Sequence, residues 1–192
     1  STLGARQVPY MLFLSEAVAD QVASIAREMG LENAGTIPLM TLRSRGVEPS
    51  DDVVNIERVI DDHGVAKFGQ VCASAFDLPI QSVGRAFGAD IIDGPGLDLF
   101  LANRNGAAAS CVLTMQAGRT VGIWCMGTIL DWQRQGIGRA LLSHVINHYC
   151  KDDNETTFYL FATEAGLPLY RSIGFQTVEA VHVWVHGHST QV

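Results

Sequence analysis

Gln133-Arg134-Gln135-Gly136-Ile137-Gly138-Arg139-Ala140 decides the reading of this chain. The apolar run before it, residues 119–130, reads as a strand. Behind it Leu141, Val145, Ile146 and Tyr149 recur at helical spacing. A glycine-bearing turn that opens a helix presents backbone N–H groups lacking intrahelical partners, at the positive end of the helix dipole. Such a place binds anions, and a pyrophosphate fits it. Gly136 and Gly138 bring no Cβ to crowd the turn or the phosphates. Two glycines alone do not name a ligand. A dinucleotide fingerprint needs a third glycine where Leu141 stands, and it normally opens the first strand–helix–strand unit. No Gly-x-x-x-x-Gly-Lys-Ser/Thr run occurs, which excludes a Walker loop.

Outward from this stretch, residues 97–103 and 107–116 read as strands, with a hairpin turn at Asn105-Gly106 and another at Ala117-Gly118. Residues 53–60 alternate as a strand. Asp61 or Asp62 then caps a helix with Val65, Phe68, Cys72 and Phe76 on one face, and a second helical piece covers residues 79–87. Beyond the Gly136 turn come a helix over residues 136–149, a strand over 157–162, a short helix over 167–173 and a closing strand over 175–185. The pattern is a mixed α/β (α+β) sheet with helices on both faces. Upstream, residues 10–14 and 37–42 read as strands around a helix that Ser15 caps; Val18, Val22, Ile25, Ala26 and Met29 recur at helical spacing, with Val18, Val22, Ile25 and Met29 as the expected packing face. Residues 43–52, broken by Gly46 and Pro49, read as a linker.

The chain has 192 residues, 47% hydrophobic and 17% charged, enough to bury a core and too apolar for disorder. Its net charge of −7 carries no basic stripe, which argues against a nucleic-acid partner. No apolar stretch approaches the ~20 residues that span a bilayer, so no membrane partner is expected. The run Val8-Pro9-Tyr10-Met11-Leu12-Phe13-Leu14 has neither basic flank nor cleavage site and reads as a strand. Cys72, Cys111, Cys125 and Cys150 form no metal or disulfide spacing, and they read as buried thiols of a cytoplasmic protein. His144 and His148 stand four apart without a third ligand, and His182, His186 and His188 form a loose cluster, so no metal site is expected.

Gln133-x-x-Gly136-x-Gly138 resembles the [QR]-x-x-G-x-[GA] acyl-CoA signature of the GNAT superfamily of N-acetyltransferases. Leu169-Tyr170-Arg171-Ser172-Ile173-Gly174-Phe175 is similar to that family's L-Y-x-x-x-G-F, and the element order over residues 53–188 follows its topology. The resemblance implies an acyl-CoA N-acyltransferase fold that transfers acetyl from acetyl-CoA to a primary amine of a small molecule or protein. It implies a cofactor cleft at Met126, Gly127 and Thr128, with the pyrophosphate on Gln133, Arg134, Gln135, Gly136, Ile137, Gly138 and Arg139. It places Tyr170 as general acid for the departing thiolate.

The base is less legible. Residues 119–130 contain no Asp or Glu, where relatives implicate a carboxylate. Glu164 is the carboxylate candidate, His182 could line the acceptor pocket, and a water chain could serve instead. The missing carboxylate leaves open an alternative, a non-catalytic acyl-CoA-binding protein of the same fold. Finally, Phe13-Leu-Ser-Glu-Ala17 matches Phe161-Ala-Thr-Glu-Ala165, and Met29-Gly30-Leu31 matches Ile173-Gly174-Phe175. Residues 1–50 are therefore expected to be a partial, degenerate copy of the end of the main domain plus a linker, and a second wall for the acceptor cleft. A homodimer is compatible with this arrangement.

Overall fold

The computed structural model describes residues 10–50, 54–151 and 155–186; Val53 and His188 lie outside them. In chain order the elements are β1 (Tyr10–Leu14), α1 (Glu16–Glu28), β2 (Glu32–Ser44), β3 (Asn55–Arg58), α2 (Asp62–Ala75) and α3 (Ile80–Ala86). They continue with β4 (Leu97–Arg104), β5 (Ala107–Ala117), β6 (Thr120–Thr128), α4 (Ile137–Tyr149), β7 (Thr156–Phe161), α5 (Leu167–Ile173) and β8 (Gln176–His186). Local chemistry sets many of these boundaries. Asp61 accepts the Gly64 N–H at 2.7 Å and opens α2. Asn105 and Gly106 both take positive φ, 53° and 80°, as a tight β4–β5 hairpin requires.

The strands form one eight-stranded sheet in the order β1-β8-β2-β7-β6-β5-β4-β3. Every neighbouring pair is antiparallel except β6 with β7. One face packs Val121, Ile123, Phe158 and Leu160 against α4 and α5 through Leu141, Val145, Ile146 and Tyr170. The other packs Leu99, Leu101, Cys111 and Leu113 against Val65, Phe68 and Cys72 of α2. The mixed α/β architecture read from the sequence is the one observed.

The N-terminal segment is woven into this sheet. β2 lies between β7 and β8, and β1 pairs with the outer side of β8. Phe13 faces Val183 in the β1–β8 pair, and Phe161 faces Leu39 in the β7–β2 pair. Carried across by the sequence match, Phe13 becomes Phe161 and Leu39 becomes Val183, so the two registers are equivalent. The helices close alike as well. Gly30 and Leu31 donate to Arg27 and Ala26 at 2.9 and 3.0 Å, while Gly174 and Phe175 donate to Arg171 and Tyr170 at 3.1 and 3.0 Å. Both are Schellman turns, with the glycine at positive φ.

Two expectations need correction. Helix α1 docks through Ala19 and Ala26, with Val22 and Ala23, onto Leu14 and Trp184. Val18, Ile25 and Met29 stay exposed, because small residues let the helix approach the strands more closely than a stripe of larger ones would. The linker is also not free. Asn147 of α4 accepts the Val47 N–H at 2.8 Å and donates to the Val47 carbonyl at 2.9 Å, pinning the segment to the domain.

Candidate functional site

Strand β6 carries the site. It runs beside β7 only over Thr120–Thr157, Val121–Phe158 and Gly122–Tyr159, and then the two strands part. Just beyond, its register with β5 shifts between Cys111 and Leu113, so Cys125 and Met126 together oppose Val112. Cys125 takes φ 48°, a conformation unusual for a residue with a Cβ, and this bulge bends β6 away from β7. After the bulge Ile129 donates to Ala109 of β5 at 3.0 Å. Strand alternation then turns the backbone of Thr128 and Met126 toward the opened side, where no strand pairs with it. The Thr128 carbonyl is taken by the Gln133 side chain at 3.0 Å. Its N–H lies on that same side of β6, which β7 no longer covers.

The turn between β6 and α4 is held by its own side chains. Gln135 donates to the Asp131 carbonyl at 3.0 Å, and Arg104 donates to the Gln135 carbonyl at 3.1 Å. Arg134 and Gly136 both take positive φ, 61° and 79°. Gly136 is the N-cap of α4 and offers no side chain to the first-turn N–H groups. These groups, at Ile137, Gly138 and Arg139, therefore remain open to an anion. Gly138 serves closeness rather than conformation: a Cβ there would stand 3.2 Å from Thr128 Oγ1 and 3.6 Å from Leu169 Cδ2. It narrows the seam where β6, α4 and α5 meet, next to the separating strands. The Arg139 guanidinium leans on the Ser172 carbonyl at 3.5 Å, tying α4 to α5.

Tyr170 of α5 is buried on the same face of the sheet as α4, with Ile137, Met126 and Leu169 in one cluster. Its ring lies edge-on to Phe175 and so close to Gly166 that a Cβ there would meet Tyr170 Cε2 at 2.6 Å. Burial alone pushes its phenol up to about 12, so it keeps its proton throughout the physiological range. Glu164 lies exposed in the turn between β7 and α5, and no hydrogen bond or ion pair ties it to the residues above. His182 is not beside the opening. It sits in β8 opposite Leu14 and Thr36, and it is absent from the ring contacts that join β1, β6 and β7.

The Cys125 thiol hydrogen-bonds with Cys72, and that contact and burial both push it far above its ordinary value. It stays a thiol, a poor nucleophile. His144 and His148 pack edge-on against Phe100, and no metal-binding group of three side chains occurs among the described residues. A cavity of about 420 Å³ between α2 and α3, lined by Val65, Gly69, Ile80 and Phe87 among others, contains none of these residues. The candidate site is the open cleft at the end of β6.

The opposite face of that cleft escaped the sequence reading. Trp124 of β6 and Tyr159 and Phe161 of β7 are in ring contact across the opening, and Phe13 of β1 stacks on Phe161 at 4.6 Å. Nearby, Ala75 and Phe76 at the end of α2 close over Gly127, where a Cβ would meet them at 2.8 and 2.9 Å.

Residues 95–177 match the acetyltransferase (GNAT) domain family. The chain is 34% identical over 79 residues, 41% of its length, to the uncharacterized N-acetyltransferase YitH of Bacillus subtilis, and the match spans 27% of that relative. In three dimensions it resembles a GCN5-related N-acetyltransferase from Kribbella flavida, with TM-score 0.71 and 14% identity, covering 98% of this chain and 72% of that one. It also resembles a GCN5-related N-acetyltransferase from Sphaerobacter thermophilus, with TM-score 0.62 and 15% identity, covering 93% of this chain and 59% of that one. At such identities the two structures speak for the fold.

Proposed function

We propose that this chain, whose residues 95–177 match the acetyltransferase (GNAT) domain family, moves an acetyl group from acetyl-CoA to a primary amine of a small molecule or protein. One observation carries the reading. A single strand, β6, parts from its neighbour after Gly122 and leads into a helix start at Gly136 that no side chain caps. That spacing suits a thioester at one end and a pyrophosphate at the other. Residues Gln133 to Arg139 supply the anion seat, and Met126, Gly127 and Thr128 line the pantetheine path.

In net terms an alkylammonium and acetyl-CoA give an N-alkylacetamide, free CoA thiol and one proton. The ammonium first gives up a proton, to water or to Glu164, the exposed carboxylate beyond β7. The neutral nitrogen attacks the thioester carbon, and the C–N bond forms while the oxygen takes the electron pair. Backbone N–H groups on the open side of β6 stabilise that oxyanion. Collapse breaks the C–S bond and leaves the pair on sulfur. Tyr170 donates its proton to that sulfur and recovers one from the nitrogen, which has become an amide. No step uses a metal or the Cys125 thiol. The protein works in the cytoplasm in this reading.

Acetyl-CoA should raise the melting temperature, since a ligand confined to the folded state stabilises it by about 2.7 kcal/mol at a hundredfold excess over Kd. Amines should then release free thiol in proportion to acetamide formed. A melting temperature indifferent to acetyl-CoA would refute the donor site. Stabilisation without thiol release from any amine would favour a binding protein, the reading that the absence of Asp and Glu from β6 supports.

A further inference from the structure

The four rings facing the opening come from three strands. Tyr159 stands opposite Gly122, the last pair before β6 and β7 separate. Trp124 and Phe161 lie two residues further along the two arms, with ring centroids 5.5 Å apart. Phe13, contributed by β1, stacks on Phe161 with planes 19° apart and meets Trp124 edge-on at 6.5 Å. Each of the four is half-buried, neither absorbed into the core nor spread on the surface. Trp124 packs with the α2 side of the sheet, whereas Met126 packs with α4 and Tyr170. The rings therefore lie across the sheet from α4 and the anion seat.

Their polar edges converge. An added Cβ at Gly122 would stand 2.6 Å from Trp124 Nε1 and 2.7 Å from Tyr159 Oη, so only glycine leaves both tips their place. Trp124 Nε1 is buried without a hydrogen-bond partner in the protein. No carboxylate accepts from Trp124 Nε1, and Glu164, beyond Phe161, is the single carboxylate proposed at this opening. That composition discriminates. A polyamine or amino sugar would bring several charges or hydroxyls whose lost hydration these rings cannot replace. A single ammonium on an apolar body would keep its charge against ring faces and bury the rest.

We propose that Phe13, Trp124, Tyr159 and Phe161 form the acceptor-selecting wall, and that it selects a primary amine with an aromatic or bulky aliphatic body. The proposal rests on the acetyltransferase reading above, and it makes the N-terminal strand β1 part of the substrate site. The test compares 2-phenylethylamine, ethanolamine and spermidine as acceptors, by thiol release at saturating acetyl-CoA. Binding of 2-phenylethylamine to the CoA-saturated protein is followed separately by tryptophan fluorescence.

The aryl amine should be preferred at least tenfold in kcat/KM, the scale on which hydrophobic pockets discriminate. Phe13→Ala should raise its KM about tenfold, a larger change than for ethanolamine, with the acetyl-CoA KM unmoved. Phe13→Leu, which keeps apolar volume, should fold in any case and show a smaller rise in the same direction. Turnover that favours spermidine or ethanolamine, or a Phe13 variant that slows all three amines alike, overturns the wall while leaving the transferase. Fluorescence-detected binding that weakens in both Phe13 variants, without turnover of any amine, keeps the wall and overturns the transferase.

Discussion

Replacing Tyr170 by Phe separates a hydroxyl that works in the reaction from one that only packs. The ring is 6% exposed and held by Gly166 and Phe175, and Phe preserves those contacts. Burial is the one cause that raises the phenol, with no hydrogen bond or charge acting on it, so removing the oxygen breaks no protein interaction. Stability should then change by less than about 0.5 kcal/mol, well under the ~1–3 kcal/mol that a severed buried hydrogen bond costs. Turnover should fall by a factor on the order of 10² to 10⁴, the range of a positioned acid, which corresponds to about 3–5 kcal/mol in the barrier. The loss belongs in kcat, because sulfur is uncharged in the ground state and charge develops only as the C–S bond breaks. The phenol, at about 12, keeps its proton, so the wild-type rate should show no falling limb from Tyr170 up to pH 10. Stopped-flow thiol release and thermal melts with and without CoA supply the readouts. An unchanged kcat alongside an unchanged melt would refute the acid role, and an unstable variant would show the hydroxyl to be structural.

Gly138→Val puts a branched side chain where a Cβ already stands 3.2 Å from Thr128 Oγ1, so CoA should lose most of its stabilising effect in a thermal melt while the apo protein still folds. Tyr149→Phe deletes a donor 2.5 Å from Asp98 Oδ2 and a 2.7 Å contact with Thr114; urea melts should register a loss of about 1.5–3 kcal/mol, with acetyl-CoA binding untouched. His144 and His148 are held below their ordinary value by burial, then by Lys151. Below about pH 6.5 the unfolded chain therefore binds protons that the folded one resists, and the melting temperature should be flat above neutrality and decline as pH falls through 6. A double His144→Gln, His148→Gln variant should flatten part of that decline.

What the sequence shows and what it hides divide along physical lines. The strand, turn and helix around Gly136 are legible because glycine positions and helical spacing are local, and the Asn105-Gly106 hairpin is legible for the same reason. The Cys125 bulge is not. Nothing in a Trp-Cys-Met run marks one residue for positive φ, and the bend arises from how β5 and β7 hold β6. The face of α1 misleads in part: the periodic set includes Ala26 and Val22, which do dock, but it favours the exposed Val18, Ile25 and Met29 over the small Ala19. The aromatic wall is invisible because Phe13 and Phe161 meet only after β8 and β2 are laid between their strands. The match of Phe13–Glu16 to Phe161–Glu164 does, however, foreshadow the equivalent registers of β1 with β8 and of β7 with β2.

The insertion of β2 between β7 and β8 also dictates the order in which this chain can be made. On the ribosome the β1–α1–β2 unit emerges before β7 and β8, the two partners of β2, which lie more than a hundred residues further on. One tie between the ends, the Glu16 N–H to the Glu179 carboxylate, spans 163 residues. Until β7 and β8 arrive, β2 presents two bare edges, a state that invites pairing with another chain. Loop closure over such separations is slow compared with the hairpins of β4, β5 and β6. Synthesis thus separates β2 in time from both its neighbours, and β8, made well after it, fills the place between β1 and β2.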